Sequence, residues 1–177
     1  MSKDKTVRDV GVRMRLLQQS VDAFDEAAAA RLGLNRTDLR CLDLVLAGEA
    51  PSAGDLATAL YLSPAATTTV IDRLERANFV ARTRDAGNRR RVLVTPTEAA
   101  RAAERELYLP VGAAGARALR EYDEQQLATI IDFLDTARRV QEEQTARIRA
   151  AATAPADQPA PTKGRAMASR GGGRASS

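Results

Sequence analysis

Residues 82–97 read Arg-Thr-Arg-Asp-Ala-Gly-Asn-Arg-Arg-Arg-Val-Leu-Val-Thr-Pro-Thr and follow a helical stretch, Ser63–Ala77. A short apolar strand, Phe79–Arg82, leads into a turn at Asp85-Ala86-Gly87-Asn88. A second, alternating strand, Arg91–Thr95, leaves it. Arg82, Arg84, Arg89, Arg90 and Arg91 stand against one carboxylate, Asp85, a net charge of +4 within ten residues. A hairpin with a cationic tip, directly behind a helix whose outer face is Ala, Thr and Arg, is the layout of a winged helix-turn-helix. That layout suits a helix in a DNA major groove and a hairpin across the phosphates.

The rest of the chain is patterned to carry such a unit. Val7, Val10, Met14, Leu17, Val21, Phe24 and Ala28 recur at spacings of three and four, which predicts one amphipathic helix over 4–31. Gly33 suits its left-handed terminator. Asn35 can cap a second helix with Leu39, Leu42, Val45 and Leu46 on its buried face, stopping near Gly48. Cys41 falls at the margin of that face and reads as a small structural residue. Ser52 opens a third helix with Leu56, Ala59 and Leu60 inward. Ser63 caps a fourth, with Pro64 at its first position.

On that fourth helix Ala66, Thr67, Val70, Leu74 and Ala77 cluster on one side. Ala65, Thr68, Thr69, Asp72, Arg73 and Arg76 project from the other. Asn78 sits where a left-handed terminator belongs. Thr95-Pro96-Thr97-Glu98 reads as a capping box launching a helix over about 96–120, kinked by Pro110 and Gly112. A last helix begins at Asp123 and carries Leu127, Ile130, Ile131, Leu134 and Ala137 on one side, fading into the polar stretch Gln141–Arg149. Residues 152–177 hold Pro, Gly and Ser without apolar periodicity, the signature of a disordered cationic tail.

Composition removes several function classes. The 177 residues include no histidine and one cysteine, Cys41. Catalytic triads, His/Cys zinc clusters and internal disulfides are therefore impossible, and no catalytic residue, metal or cofactor is expected. No apolar run is long enough to cross a membrane, and Met1-Ser-Lys-Asp-Lys lacks the apolar core of a signal peptide, so the expectation is a cytoplasmic protein. Of the net charge of +4, +3 lies in residues 151–177. The case for a nucleic-acid partner rests on the hairpin and not on the overall balance.

The chain resembles the MarR family of bacterial transcriptional regulators over about residues 5–148. The resemblance is carried by Leu56-Ala57, Leu62-Ser63-Pro64, Thr68, Asp72-Arg73-Leu74-Glu75, Phe79-Val80, Asp85 through Arg90, Val92-Leu93-Val94 and Thr97-Glu98. It implies a mainly α fold with a small β-hairpin wing, a winged helix-turn-helix plus long N- and C-terminal dimerisation helices. Residues 1–34 would form the N-terminal dimerisation helix, 35–97 the DNA-binding lobe, 98–150 the C-terminal dimerisation helices and 151–177 the tail.

The function implied is a homodimeric, sequence-specific regulator, most often a repressor, on a pseudo-palindromic operator in double-stranded DNA. A small-molecule effector between dimer helices and lobe would release it. DNA contacts are expected from Ser63, Ala65, Thr68, Thr69, Arg73, Arg76, Arg84, Asn88, Arg89, Arg90 and Arg91. Arg90 would enter the minor groove with Asn88 beside it, and Arg84, Arg89 and Arg91 would meet phosphates. Dimer contacts are expected from Val7, Val10, Met14, Leu17, Val21, Leu127, Ile131 and Leu134. Two departures stand out: Asn78 replaces the family's usual Gly, and Asn88 replaces a wing-tip Asp, so a neutral group stands beside Arg90. The alternative is a winged-helix protein-interaction module that no longer reads DNA.

Overall fold

The computed structural model describes residues 2–48, 50–85, 87–88 and 91–153. The order is α1 (Lys3–Leu32), α2 (Arg36–Ala47), α3 (Ala53–Leu60), α4 (Pro64–Arg76), β1 (Val80–Arg84), β2 (Val92–Pro96), α5 (Glu98–Leu119) and α6 (Glu124–Thr153). The chain divides into two units, one ending at Glu121 and the other beginning at Tyr122. The first holds α1–β2 and α5; the second holds α6. This is the mainly helical fold with a two-stranded antiparallel hairpin that the sequence predicts.

Side-chain caps set the helix starts. The Asn35 side chain accepts from the Asp38 backbone N–H, and the Ser63 side chain accepts from that of Ala66. Ser52 and Asp55 form a reciprocal capping box at α3. Gly33 (φ 67°) and Asn78 (φ 62°) are left-handed as expected. Tyr61 (φ 56°) ends α3 in the same conformation, which its side chain gave no reason to expect.

The lobe closes around one cluster: Cys41, Leu42, Val45, Leu56, Val70, Ile71, Leu74, Val80, Val94 and Ala100 are buried together. A smaller cluster joins Ala28 and Ala29 of α1 to Leu39 of α2, with Phe24 and Leu107 packed against it. In the hairpin Val80 pairs with Pro96 and Arg82 with Val94. An isolated bridge from Ser52 to Leu93 lets the start of α3 brace the outer strand.

Several expectations are corrected. Cys41 is not marginal but fully buried, and burial followed by the charge of Asp38 pushes its thiol up to about 12. Ile71 belongs to the inner face of α4, whereas Ala77 is exposed as that helix's C-cap. No capping box forms at Thr95. Thr95 and Pro96 complete β2, and Thr97 caps α5 by accepting from the Ala100 N–H. The hairpin strands extend one or two residues beyond their expected ends. Helix α5 starts at Glu98, two residues after its expected start, and carries Pro110 within it. Helix α6 continues through the polar stretch to Thr153. The remaining tail, 154–177, lies outside the described residues, as do Arg89 and Arg90.

Candidate nucleic-acid interface

Helix α4 presents a small, exposed face. Ser63, Ala65, Thr68, Thr69 and Arg76 are all exposed, and Ala and Thr let a backbone approach closely. The Thr68 hydroxyl donates to the Pro64 carbonyl (3.0 Å) and that of Thr69 to the Ala65 carbonyl (3.1 Å). Their hydrogens are thus used within the helix. Toward a partner each threonine offers a methyl group and oxygen lone pairs, not a donor for phosphate.

The basic residues of this surface separate into two groups. Arg84 stands exposed on the hairpin, and the neutral Asn88 is exposed at its turn. Arg73, Arg82 and Arg91 are held by carboxylates. Arg73 is bidentate on Asp38, with Nε to Oδ2 at 2.9 Å and Nη2 to Oδ1 at 2.5 Å. Arg82 bridges to Asp72 (2.5 Å) and also to Glu75 on α4. Arg91 reaches Asp55 at the start of α3 (2.8 Å).

Strand parity explains the last two. Arg82 shares the face of buried Val80, so it points toward α4. Arg91 shares the parity of Leu93, which bridges to Ser52, so Asp55 lies within reach. Two hydrogen bonds from the Ser52 backbone and side chain, then one from Arg91, hold the Asp55 carboxyl down to about 2.

Arg73, expected among the DNA contacts, and Arg91, expected at phosphates, each meet a carboxylate, Asp38 and Asp55, that the sequence does not single out as a partner. For Asp38 the signal was its place three residues after the Asn35 cap, facing back over the first turn of α2. The turn itself is tied by backbone contacts: Asp85 N–H donates to the Arg91 carbonyl (3.0 Å) and Arg91 N–H to that of Asn88 (2.8 Å).

The expected dimer residues are largely uncovered in the single chain. Val7 is 62% exposed and Ile131 61%, and Val10, Leu17, Val21 and Leu134 are exposed as well, while Met14 and Leu127 are half-buried. Leu16, Leu109, Val111, Phe133 and Val140 are also exposed, apolar positions that the stripe did not include.

Where α2 meets α1 and α5, Asp43 is half-buried. Burial, reinforced by Asp25, pushes its carboxyl up to about 6. The buried Tyr108 hydroxyl beside it opposes that rise by its side-chain interaction with Asp43, although no partner among the described residues meets it at full hydrogen-bonding geometry. Its ring meets Phe24 edge-on at 5.5 Å. A cavity of about 430 Å³ opens beside this junction, lined by residues that include Asp25, Arg36, Arg40, Asp43, Leu60 and Leu62. No group of His, Cys, Asp and Glu among the described residues has the arrangement of a metal site. No helix among them is long and apolar enough to cross a membrane.

Residues 34–92 match the model of the MarR family. YcgE of Bacillus subtilis (strain 168), an uncharacterised HTH-type transcriptional regulator, is 36% identical over 126 residues, covering 71% of this chain and 82% of the relative. A MarR family protein from Bacillus stearothermophilus superposes over 82% of this chain and 99% of its own, with a TM-score of 0.56 and 21% identity. A MepR mutant from S. aureus, bound to an oligodeoxyribonucleotide, superposes over 75% of this chain and 97% of its own, with a TM-score of 0.51 and 14% identity.

Proposed function

The chain belongs to the MarR family of transcriptional regulators, and from that premise we propose that it binds a pseudo-palindromic operator as a homodimer and represses transcription there. The observation that carries the reading is the adjacency of two surfaces. The exposed Ala65, Thr68 and Thr69 of α4 lie directly before a hairpin on which Arg84 and Asn88 are exposed and Arg89 and Arg90 follow in sequence. A helix face of small residues fits a major groove, and arginines on a hairpin fit phosphates and the minor groove. The MepR mutant bound to an oligodeoxyribonucleotide supports the same use of the fold.

The homodimer is supported by the uncovered apolar residues of α1 and α6. Isolated exposed leucines are ordinary, but a repeated apolar stripe along a helix needs cover. Two copies also supply the two reading heads of a palindromic site, whose half-sites lie about 34–36 Å apart. The cavity between α1, α2 and the end of α3 is the place for a small-molecule effector, because filling it would act on the contact between α1 and the lobe.

The test is selection of bound fragments from random-sequence DNA, followed by gel shifts at fixed salt. A two-fold symmetric motif is expected. Arg90→Ala and Arg84→Ala should weaken its binding while the circular dichroism spectrum stays unchanged. If neither substitution alters affinity, this surface does not read DNA, and a protein-interaction module becomes the better reading.

A further inference from the structure

Arg73 faces outward on the reading helix and is basic, yet its contacts point the other way. We infer that Arg73 is not a phosphate ligand but one half of a strut, with Asp38, that sets the position of the reading helix α4 on α2. The inference rests on the DNA-reading proposal and assigns Asp38 and Arg73 as positioning residues within it.

Asp38 is the carrying observation. Its side chain is only 4% exposed, against 36% for that of Arg73. A carboxylate so placed needs compensation by charge and hydrogen bonds. It receives both. Arg73 supplies Nε and Nη2 in a forked contact. Asn35 donates from Nδ2 to Oδ2 at 2.8 Å. The same Asn35 accepts from the Asp38 backbone N–H at 2.9 Å, so the cap of α2 and the strut are one network. A bidentate Arg–carboxylate contact fixes orientation as well as distance.

Sliding or turning α4 on α2 would break the fork and strand a buried charge. Val70 and Leu74 of α4 lie in the core cluster that also holds Cys41, Leu42 and Val45 of α2, and being apolar they hold the contact by shape. The strut adds a directional, charged contact to that packing. Arg76, three residues on, is exposed and makes no ion pair among the described residues. It is the natural contrast: same helix, same charge, no strut.

Salt dependence separates the two roles. An arginine that neutralises a phosphate contributes about 0.9 to the slope of log affinity against log salt. A strut contributes nothing to that slope but governs how well the right sequence is told from the wrong one. The experiment uses the full chain, a fragment selected from random DNA by the wild type, and a scrambled fragment of equal length. Arg73→Gln, Asp38→Asn, their double variant and Arg76→Gln are measured well below their melting midpoints.

Arg73→Gln and Asp38→Asn should each reduce the preference for the selected over the scrambled fragment about tenfold, with the salt slope unchanged. The double variant should lose about tenfold, not a hundredfold, because both changes remove one interaction. Arg76→Gln should lower the slope by about 0.9 and weaken both fragments alike. The strut is overturned if Arg73→Gln behaves as Arg76→Gln does, if the double loss is additive, or if the preference survives both single changes.

Hydrogen exchange keeps the outcome readable without DNA. In the free protein the amides of α4 should exchange faster in both single variants while those of α5 do not change. If the wild type selects no fragment but α4 responds in this way, the strut stands and the DNA reading fails. If α4 exchange is unmoved, the strut fails whatever DNA does.

Discussion

The winged lobe and the long helices handle apolar surface in opposite ways. Within the lobe Leu42, Leu56, Ile71, Leu74, Val80 and Val94 are at most 2% exposed, all covered by the same chain. Along α1 and α6, Val7, Leu17, Val21, Ile131 and Leu134 are between 49% and 62% exposed. Both regions are equally well patterned in sequence. The lobe's pattern is satisfied within one copy, and that of the long helices is left uncovered, as the proposed homodimer requires. The foot of α1 marks the change, because Phe24, Ala28 and Ala29 pack on Leu39 and Leu107 while the turns above them stay open. A lobe that is complete alone and helices that are not is the division expected of a reading head carried on a dimerisation scaffold.

The largest expected effect strikes the helices. Leu17→Asp combined with Val21→Asp should convert a dimer of twice 19.0 kDa into a monomer in sedimentation. Affinity for a two-half-site operator should then fall by about 100-fold or more, since linked binding of two heads is lost. Far-ultraviolet circular dichroism of the lobe should be retained. A double variant that stays dimeric, or a wild type that sediments as a monomer, would break the comparison outright.

Next in size is a change inside the lobe. Leu74→Ala removes a side chain that is fully buried and should cost about 2–5 kcal/mol in denaturant unfolding. The dimer dissociation constant, measured without denaturant, should not move. Leu17→Ala should do the reverse. If Leu74→Ala loosened the dimer, the two regions would not be energetically separate.

How much of this was written in the sequence differs between elements. The caps at Asn35, Ser52 and Ser63 and the left-handed Gly33 and Asn78 were legible, because each depends on a single residue's local chemistry. The start of α5 was misplaced. Thr95 and Thr97 both have capping chemistry, and only the pairing of Thr95 with Ala81 in the hairpin decides between them. Cys41 was misjudged because a helical wheel shows one face, whereas α2 is packed by α1, α3, α4, α5 and β2. The candidate interface was legible as a set of basic residues but not as two groups. Which arginine meets a carboxylate depends on partners 35 or 36 residues away, as with Arg73 on Asp38 and Arg91 on Asp55. No local pattern encodes that separation.

A smaller effect sharpens what the lobe's outer face does. Thr68 uses its hydroxyl hydrogen on the Pro64 carbonyl, so a methyl contact to thymine is the recognition its geometry favours. Thr68→Val should keep the selected sequence, whereas Thr68→Ala should lose about 1–3 kcal/mol at one base pair. Equal losses in both variants would instead show that the oxygen accepts a hydrogen bond from a base.

The smallest expected effect lies where the two regions meet. Asp43, on α2, faces Asp25 of α1 and Tyr108 of α5, with Arg36 and Arg40 of its own helix lining the adjoining cavity. Its carboxyl is pushed from an ordinary 3.8 up to about 6, first by burial and then by Asp25. The folded protein therefore binds this proton more tightly than the unfolded chain. The resulting stabilisation is fully present below 3.8 and is lost as pH rises through about 6. Asp55, held at about 2, works in the opposite sense, its contribution falling as pH drops from 3.8 toward 2. Subtracting the melting curve of Asp43→Asn from that of the wild type cancels such background and isolates Asp43. The variant should melt higher than the wild type at pH 7, and the difference should shrink as pH falls below 6. A variant that melts lower at pH 7 would mean that the Asp43 charge is compensated at this seam, and that α1 and the lobe are joined by an ion pair instead of held over a strained one.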